Sequence, residues 1–381
     1  FDLPSEDCPV CGTPLIKDGH NIPFAVFLGF DGDKVPDIDL NFSGDYQPVA
    51  HKYTEVLFGK MNVFRAGTIA GLQDKNAYGY AMHYYEDQGE AKGRPYIEHM
   101  MRGCMGVKAT TGQHAGGIMV VPRDMDVHYF TPIQRPANNM ESDTLTTHFD
   151  YHSISERLVK LDILGHDDPT VIKMLEELTH RDPETIPFDD PATMSIFTST
   201  DALGITPEDL GANMGTYGIP EFRTSFTQKM IDDSKPDCFA DLVRISGFSH
   251  GTNVWLGNAQ DLIKAGTSTL KDAISARDDI MNYLMQNGIE PLLSFKTMEN
   301  VRKGRGIAPD VVEKLRAGGI PAWYIESCQK IKYLFPRAHA TAYVMMGYRI
   351  AFCKVHYPLA YYAAYFSIRA AEVDANIISK G

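Results

Sequence analysis

The chain has 381 residues, 44% of them apolar and 22% charged, with a net charge of −13. Those values exclude a disordered chain, a collagen-like chain and a coiled coil, and they fit a globular protein of two or three domains. A membrane-spanning segment is not expected either: the most apolar stretch, residues 343–366, carries Arg349, Lys354, His356 and Pro358, where a span needs about 18 uncharged residues.

Residues 1–22 are rich in Pro and Gly and contain Cys8-Pro-Val-Cys11-Gly12. Two thiols three positions apart before a glycine have the form of half a zinc site, since tetrahedral zinc needs four ligands. The other four cysteines are isolated and His20 is the only nearby addition. Six cysteines in this arrangement do not make a disulfide framework, so a reducing cytoplasm is expected. The chain opens on Phe1 without an initiator Met, and is expected to be a cut piece.

From residue 24 to about 165, short apolar alternations mix with helical stretches. Residues 35–42 read Val-Pro-Asp-Ile-Asp-Leu-Asn-Phe. In a strand, Asp37, Asp39 and Asn41 share one face while Ile38, Leu40 and Phe42 share the other. Carboxylates two residues apart stand roughly 7 Å apart at Cα and can lean onto two cations about 3.5–4 Å apart. A solvated edge strand is the competing reading. A helix-loop-helix calcium loop fails, because its sixth position is Phe42 and its twelfth Pro48 where Gly and Glu are required. Residues 158–164 read as a partly buried strand, and Asp162 is a charge within it on the same face as Lys160. Such a charge is costly unless partnered, either in an ion pair or at a metal. Between them, residues 110–117 (TTGQHAGG) suit a tight loop, with His114 bonded to its own backbone or acting as a ligand.

Residues 181–191 hold three prolines in nine positions, a loop and boundary signal. Beyond it the pattern is mainly helical, with helices expected over 269–286, 291–302, 321–332 and 336–357. Residues 296–369 carry twelve Lys and Arg against four acids, a local +8 that leaves −21 elsewhere, which suits one anion-binding part in an otherwise acidic chain. The helix after Pro336 offers free N–H groups at its mouth, flanked by Lys332 and Arg337. His339 and Tyr343 share a face behind. Triphosphate at the mouth with its base against the rings is one reading, and an ordinary amphipathic helix the other. Arg277 is a further phosphate candidate, and Arg302, Lys303 and Arg305 are candidates for a DNA backbone.

PDIDLNFSG (36–44), TTGQHAGGI (110–118), KLDILGHDDPT (160–170), SHGTNVWLGNAQ (249–260) and FPRAHATAY (335–343) occur in one order. The chain resembles, over essentially its whole length, the PolC type of family C DNA polymerases, replicative alpha subunits of DNA polymerase III in low-GC Gram-positive bacteria. The resemblance implies an α/β palm with a nucleotidyltransferase-like mixed sheet followed by mainly α-helical fingers: residues 1–22 as a partial zinc knuckle, 23–168 as palm and 169–381 as fingers. It places the catalytic aspartates at Asp37, Asp39 and Asp162, holding two Mg²⁺ ions for deoxynucleotidyl transfer to a primer 3′-hydroxyl. The helix after Pro336 then belongs to the fingers that contact the incoming nucleotide. Primer–template DNA and deoxynucleoside triphosphates are the implied partners, with the sliding clamp and other replisome subunits reached through regions outside this chain. Structural zinc is implied only where a second cysteine pair lies upstream of Cys8 and Cys11. The Gly-Ser-rich turn that grips the triphosphate in this family does not precede Asp37, and residues 69–75 and 222–226 vary from the family pattern without an assigned role. A catalytically incomplete fragment that only binds nucleotide or DNA, or a metal-binding module with no nucleic-acid role, are the other readings.

Overall fold

A computed structural model describes residues 1–136 and 140–370. They form two compact units, Gly32–Gly165 and a second made of Phe1–Asp31 together with the chain from His166 onward. An α/β region is therefore followed by a helical one, as the patterns imply. Residues 1–22 are not a separate element: they and the next nine residues belong to the helical unit. The last part of the segment 169–381 lies outside the described residues.

The α/β unit is built on β1 (Ile38–Ser43), β2 (Val63–Gly71), β3 (Lys108–Val120), β4 (Ile133–Gln134), β5 (Thr146–Thr147) and β6 (Val159–His166). They lie in the order β1-β6-β3-β2-β5-β4. The sheet is mixed, with β3 antiparallel to β2 and β6, and β2 parallel to β5. The period of two sorts β2 onto two layers. Phe64 and Ala66 join Met119, Val121, Val127, Ile154 and Leu158 on one side. Val63 packs against Ala50, Ile118 and Ile163 on the other, where the helix Gln47–Phe58 contributes Ala50.

Residues 110–117, read as a loop from their glycines, are the middle of strand β3. The glycines serve close strand approach instead. A Cβ on Gly116 would stand 2.7 Å from the Ile163 carbonyl oxygen, and one on Gly117 2.9 Å from the Ala66 Cβ.

In the other unit, β6 runs into the helix Asp167–Thr179, and the principal helices that follow are Phe239–His250, Arg277–Gln286, Pro291–Arg302, Ala322–Lys330, Arg337–His356 and Pro358–Ile368. The helix expected over 269–286 begins only at Arg277. Arg337–His356 is the axis of the unit: Val344, Tyr348, Ile350 and Ala351 are all buried in one large core, and a helix apolar on most sides has to be central. Lys354 is buried on this helix and donates to the Gly215 and Tyr217 carbonyls at 2.8 and 2.6 Å. Burial lowers its pKa to about 8. The N-terminal segment docks by chemistry that no local pattern encodes. The Asp2 carboxylate accepts from the N–H groups of Phe239 and Ala240 at 2.9 and 2.8 Å, capping that helix, and the Phe1 ring lies 4.6 Å from Phe188 and 5.2 Å from Phe239. Among the described residues no helix is long and apolar enough to cross a membrane.

Candidate active site

Asp37 directly precedes β1 and Asp39 lies on it, and both are exposed. β1 is the neighbour of β6 in the sheet, and β6 carries Asp162. The alternation of charge and apolar residue is thus realised on a strand beside the one bearing the third carboxylate. Leu40 departs from the expected face pattern by being 40% exposed.

Asp162 is both an ion-pair partner and a group with spare capacity. Its Oδ2 lies 2.9 Å from Lys160 Nζ, which also sits 4.1 Å above the Tyr151 ring. Its Oδ1 is buried without a hydrogen-bond partner. His114 Nδ1 lies 3.6 Å from that oxygen. That nitrogen already accepts from the N–H groups of Gly116 and Gly117 at 3.2 and 2.8 Å, so it turns a lone pair, not a proton, towards the carboxylate. Burial, then the Lys160 charge, lowers the His114 pKa, which keeps the ring in that neutral state. A buried carboxylate oxygen facing no donor is one that a cation satisfies. The donor set, three carboxylates, suits a hard divalent ion such as Mg²⁺.

The three aspartates do not close on one point. Among the described residues, the one group of three or more acidic, Cys or His ligand atoms mutually within 4.8 Å is Asp237, Cys238 and Asp241. There burial pushes the Cys238 thiol up to about 12. At the other cysteine feature, Gly12 takes φ +69° and its N–H donates to the Cys8 carbonyl at 2.8 Å, closing a knuckle. The Cys11 pKa is lowered by hydrogen bonds from Thr13 and then from Cys8. His20 lies instead against Phe239, with burial and the Arg337 charge lowering it to about 4.

The helix Arg337–His356 differs from expectation at its mouth and matches it one turn deeper. Pro336 is the residue before the helix rather than its first. The Arg337 N–H donates to Asp278 Oδ2 at 2.8 Å, and the Arg337 guanidinium is paired with Asp279. The mouth read as an anion site therefore already holds carboxylates from this chain. Arg277 is 2% exposed, so it cannot present its charge to a triphosphate without unpacking. Lys332 is exposed. Behind the mouth His339 and Tyr343 lie with ring centres 4.6 Å apart, joined by residues that local spacing does not point to. Phe335 is 4.9 Å and His250 5.7 Å from His339, while the Tyr343 hydroxyl is hydrogen-bonded to His166 Nε2 at 2.9 Å. His250 and His166 sit inside the motifs SHGTNVW and KLDILGH, but 89 and 173 residues from His339.

In the basic cluster, Glu299 takes Arg302 through two bonds at 2.7 and 2.9 Å and Lys303 at 3.4 Å. Arg305 is exposed.

Two family profiles match in sequence. One, described as the bacterial DNA polymerase III alpha NTPase domain, matches residues 13–91 and 81–165. The other, the bacterial DNA polymerase III alpha subunit finger domain, matches residues 168–318. Over 380 residues, all of this chain, it is 58% identical to DNA polymerase III PolC-type of Caldanaerobacter subterraneus subsp. tengcongensis. The proteins of the same description from Clostridium perfringens and Bacillus subtilis are also 58% identical across the whole chain. The chain belongs to the PolC-type DNA polymerase III family. It spans 26–27% of the length of these PolC-type relatives. The break between the two profiles, at 165 and 168, falls where β6 passes into the helix Asp167–Thr179.

Proposed function

We propose that this chain carries the catalytic carboxylates and the nucleotide-binding helix of a template-directed DNA polymerase, its α/β unit acting as palm and its helical unit as fingers. The observation that supports it best is the sheet order that puts β1, with Asp37 and Asp39, beside β6, where Asp162 keeps a buried oxygen unbonded. Asp37, Asp39 and Asp162 would hold two Mg²⁺ ions, which when bound acidify the primer 3′-hydroxyl and neutralise the departing pyrophosphate. Lys160 holds the second oxygen of Asp162 and so fixes the direction of the first. His339 and Tyr343 offer ring faces to a base or sugar, and His166 orients Tyr343 through its hydroxyl. Lys332 is the exposed cation for phosphates in this part of the chain. Arg277 and Arg337 act from within, as members of the charged cluster that seats the helix. Arg305, with Lys303 and Arg302 behind it, fits the backbone of primer–template DNA. The sliding clamp and structural zinc belong to the longer polypeptide.

The test is primer extension by the full-length polymerase carrying Asp37→Asn, Asp39→Asn or Asp162→Asn. Loss of about 4 kcal/mol of transition-state stabilisation corresponds to roughly a thousandfold fall in rate, with folding retained. Near-normal extension by Asp162→Asn would leave it as the ion-pair partner of Lys160. Tyr343→Ala is expected to raise the nucleotide KM while sparing DNA affinity, and Arg305→Ala to do the reverse with a flatter salt dependence.

A further inference from the structure

The helix Gln47–Phe58 shows its apolar side in an unusual direction. Tyr46, Val49, Tyr53, Val56 and Leu57 follow a helical repeat that puts them on one face, yet only Ala50 and Thr54 of this helix are buried. Tyr53 is 57% and Val56 73% exposed. Beside that face runs a groove of about 410 Å³ whose floor is Leu40 and Phe42 of β1 with Leu161 and Ile163 of β6. Among the described residues, no charged side chain lines it.

The geometry of the sheet explains the groove. The long strands β1, β6, β3 and β2, spaced about 4.8 Å apart, present a face roughly 15–20 Å wide. One helix covers about 10 Å of it. The helix Gln47–Phe58 sits over Ile118 and Ile163, and the β1 side of the same face stays open. A stable layered domain covers both halves, and a contiguous apolar patch of this kind marks a surface that is occupied in the working protein.

We infer that this groove is filled by an apolar-faced helix from another part of the same polypeptide, laid alongside Gln47–Phe58 over β1 and β6. The width left open is that of one helix, and the uncharged lining selects an apolar face. Relatives identical at 58% have 380 matching residues making up only 27% of their length, so most of such a polypeptide lies outside these 381 residues. A tethered segment meets the groove at an effective concentration in the millimolar range, which a free partner or a second copy does not reach. The inference rests on the family relationship and is independent of the proposed metal chemistry.

The test uses the full-length polymerase with Leu57→Cys or Val49→Cys, both groove-lining and about half exposed, and Tyr129→Cys as the reference, since Tyr129 is 78% exposed in the same unit. Maleimide labelling is followed by peptide mass spectrometry at each site, with unchanged melting as the check on folding. Both groove cysteines are expected to react at least tenfold more slowly than Cys at 129, and equally slowly after tenfold dilution of the protein. A photoreactive maleimide on position 57 is expected to cross-link within one polypeptide, to a segment outside these 381 residues. Labelling as fast as the reference, protection that disappears on dilution, or cross-links to a second copy or another protein would each overturn the inference. Primer extension is read separately, so a failure here is distinct from a failure of the aspartate variants.

Discussion

Asp279 is expected to be the most costly single charge to remove from the helical unit. Its side chain is 8% exposed and pairs with Arg244, 3.5 Å away, and with Arg337. It also accepts from Ser275 N and Oγ at 2.9 and 2.7 Å and from Ala276 N at 3.0 Å. Burial alone would raise its pKa, but Arg244, Arg337 and the Ser275 bonds overcome that and hold it far below the usual carboxylate range. Asp279→Asn keeps an acceptor for the backbone and leaves two guanidinium groups, 21% and 15% exposed, without their carboxylate. Breaking a buried pair from one side costs about 3–5 kcal/mol, and Asp279→Ala should cost about 1 kcal/mol more through the lost cap. Both tryptophans, Trp255 and Trp323, lie in this unit, so their fluorescence reports its urea unfolding. With a slope near 3 kcal/mol/M, the Asn variant should unfold at a midpoint about 1 M lower. Because the native pKa is depressed, the stability due to Asp279 is fully present above the unfolded carboxylate value and is lost as pH falls towards the native one. The gap between wild type and Asn should therefore be constant from pH 7 to about 5 and narrow below about 4. A midpoint shift under about 0.2 M at pH 7, or a gap that widens on acidification, would refute this account.

Lys354 gives a slope of the same sign in the alkaline range. Its native pKa of about 8 lies below the usual lysine value of 10.5, so between those values the unfolded chain binds the extra proton and stability rises with pH. Lys354→Met should abolish that rise, read as the difference between the two proteins' urea midpoints from pH 8 to 10.5. The Cys8–Cys11 knuckle supplies two ligands where tetrahedral zinc needs four. This chain should accordingly lose zinc to an equimolar chelator, and stoichiometric zinc surviving it would mean that further ligands converge there.

What was legible in the sequence is what local spacing carries. The alternation through Asp37, Ile38 and Asp39 placed a strand there, Asp162 stood out as a charge among apolar neighbours, and the four-residue spacing put His339 and Tyr343 on one face. What was not legible depends on partners far along the chain. The glycines at 116 and 117 look like a turn until β6 and β2 are brought against them. Arg337 looks like a free cation at a helix mouth until Asp278 and Asp279, some 58 residues earlier, arrive to hold it. The capping of a helix at Phe239 by Asp2 has no trace in the intervening residues.

The position of the first 31 residues bears on the order in which this protein acquires structure during synthesis. Residues 32–165 are contiguous, so all six described strands have been made once β6 has left the ribosome, and units of this kind fold as they emerge. The helical unit is interrupted. Its opening segment is made first but must wait for partners more than two hundred residues later, as the bonds from Phe239 and Ala240 to Asp2 require. Closing a loop of that length is slow compared with local pairing. Residues 1–31 thus wait unpaired while residues 32–165 are made, and the core around Phe1, Phe188 and Phe239 closes only after residue 239 has appeared.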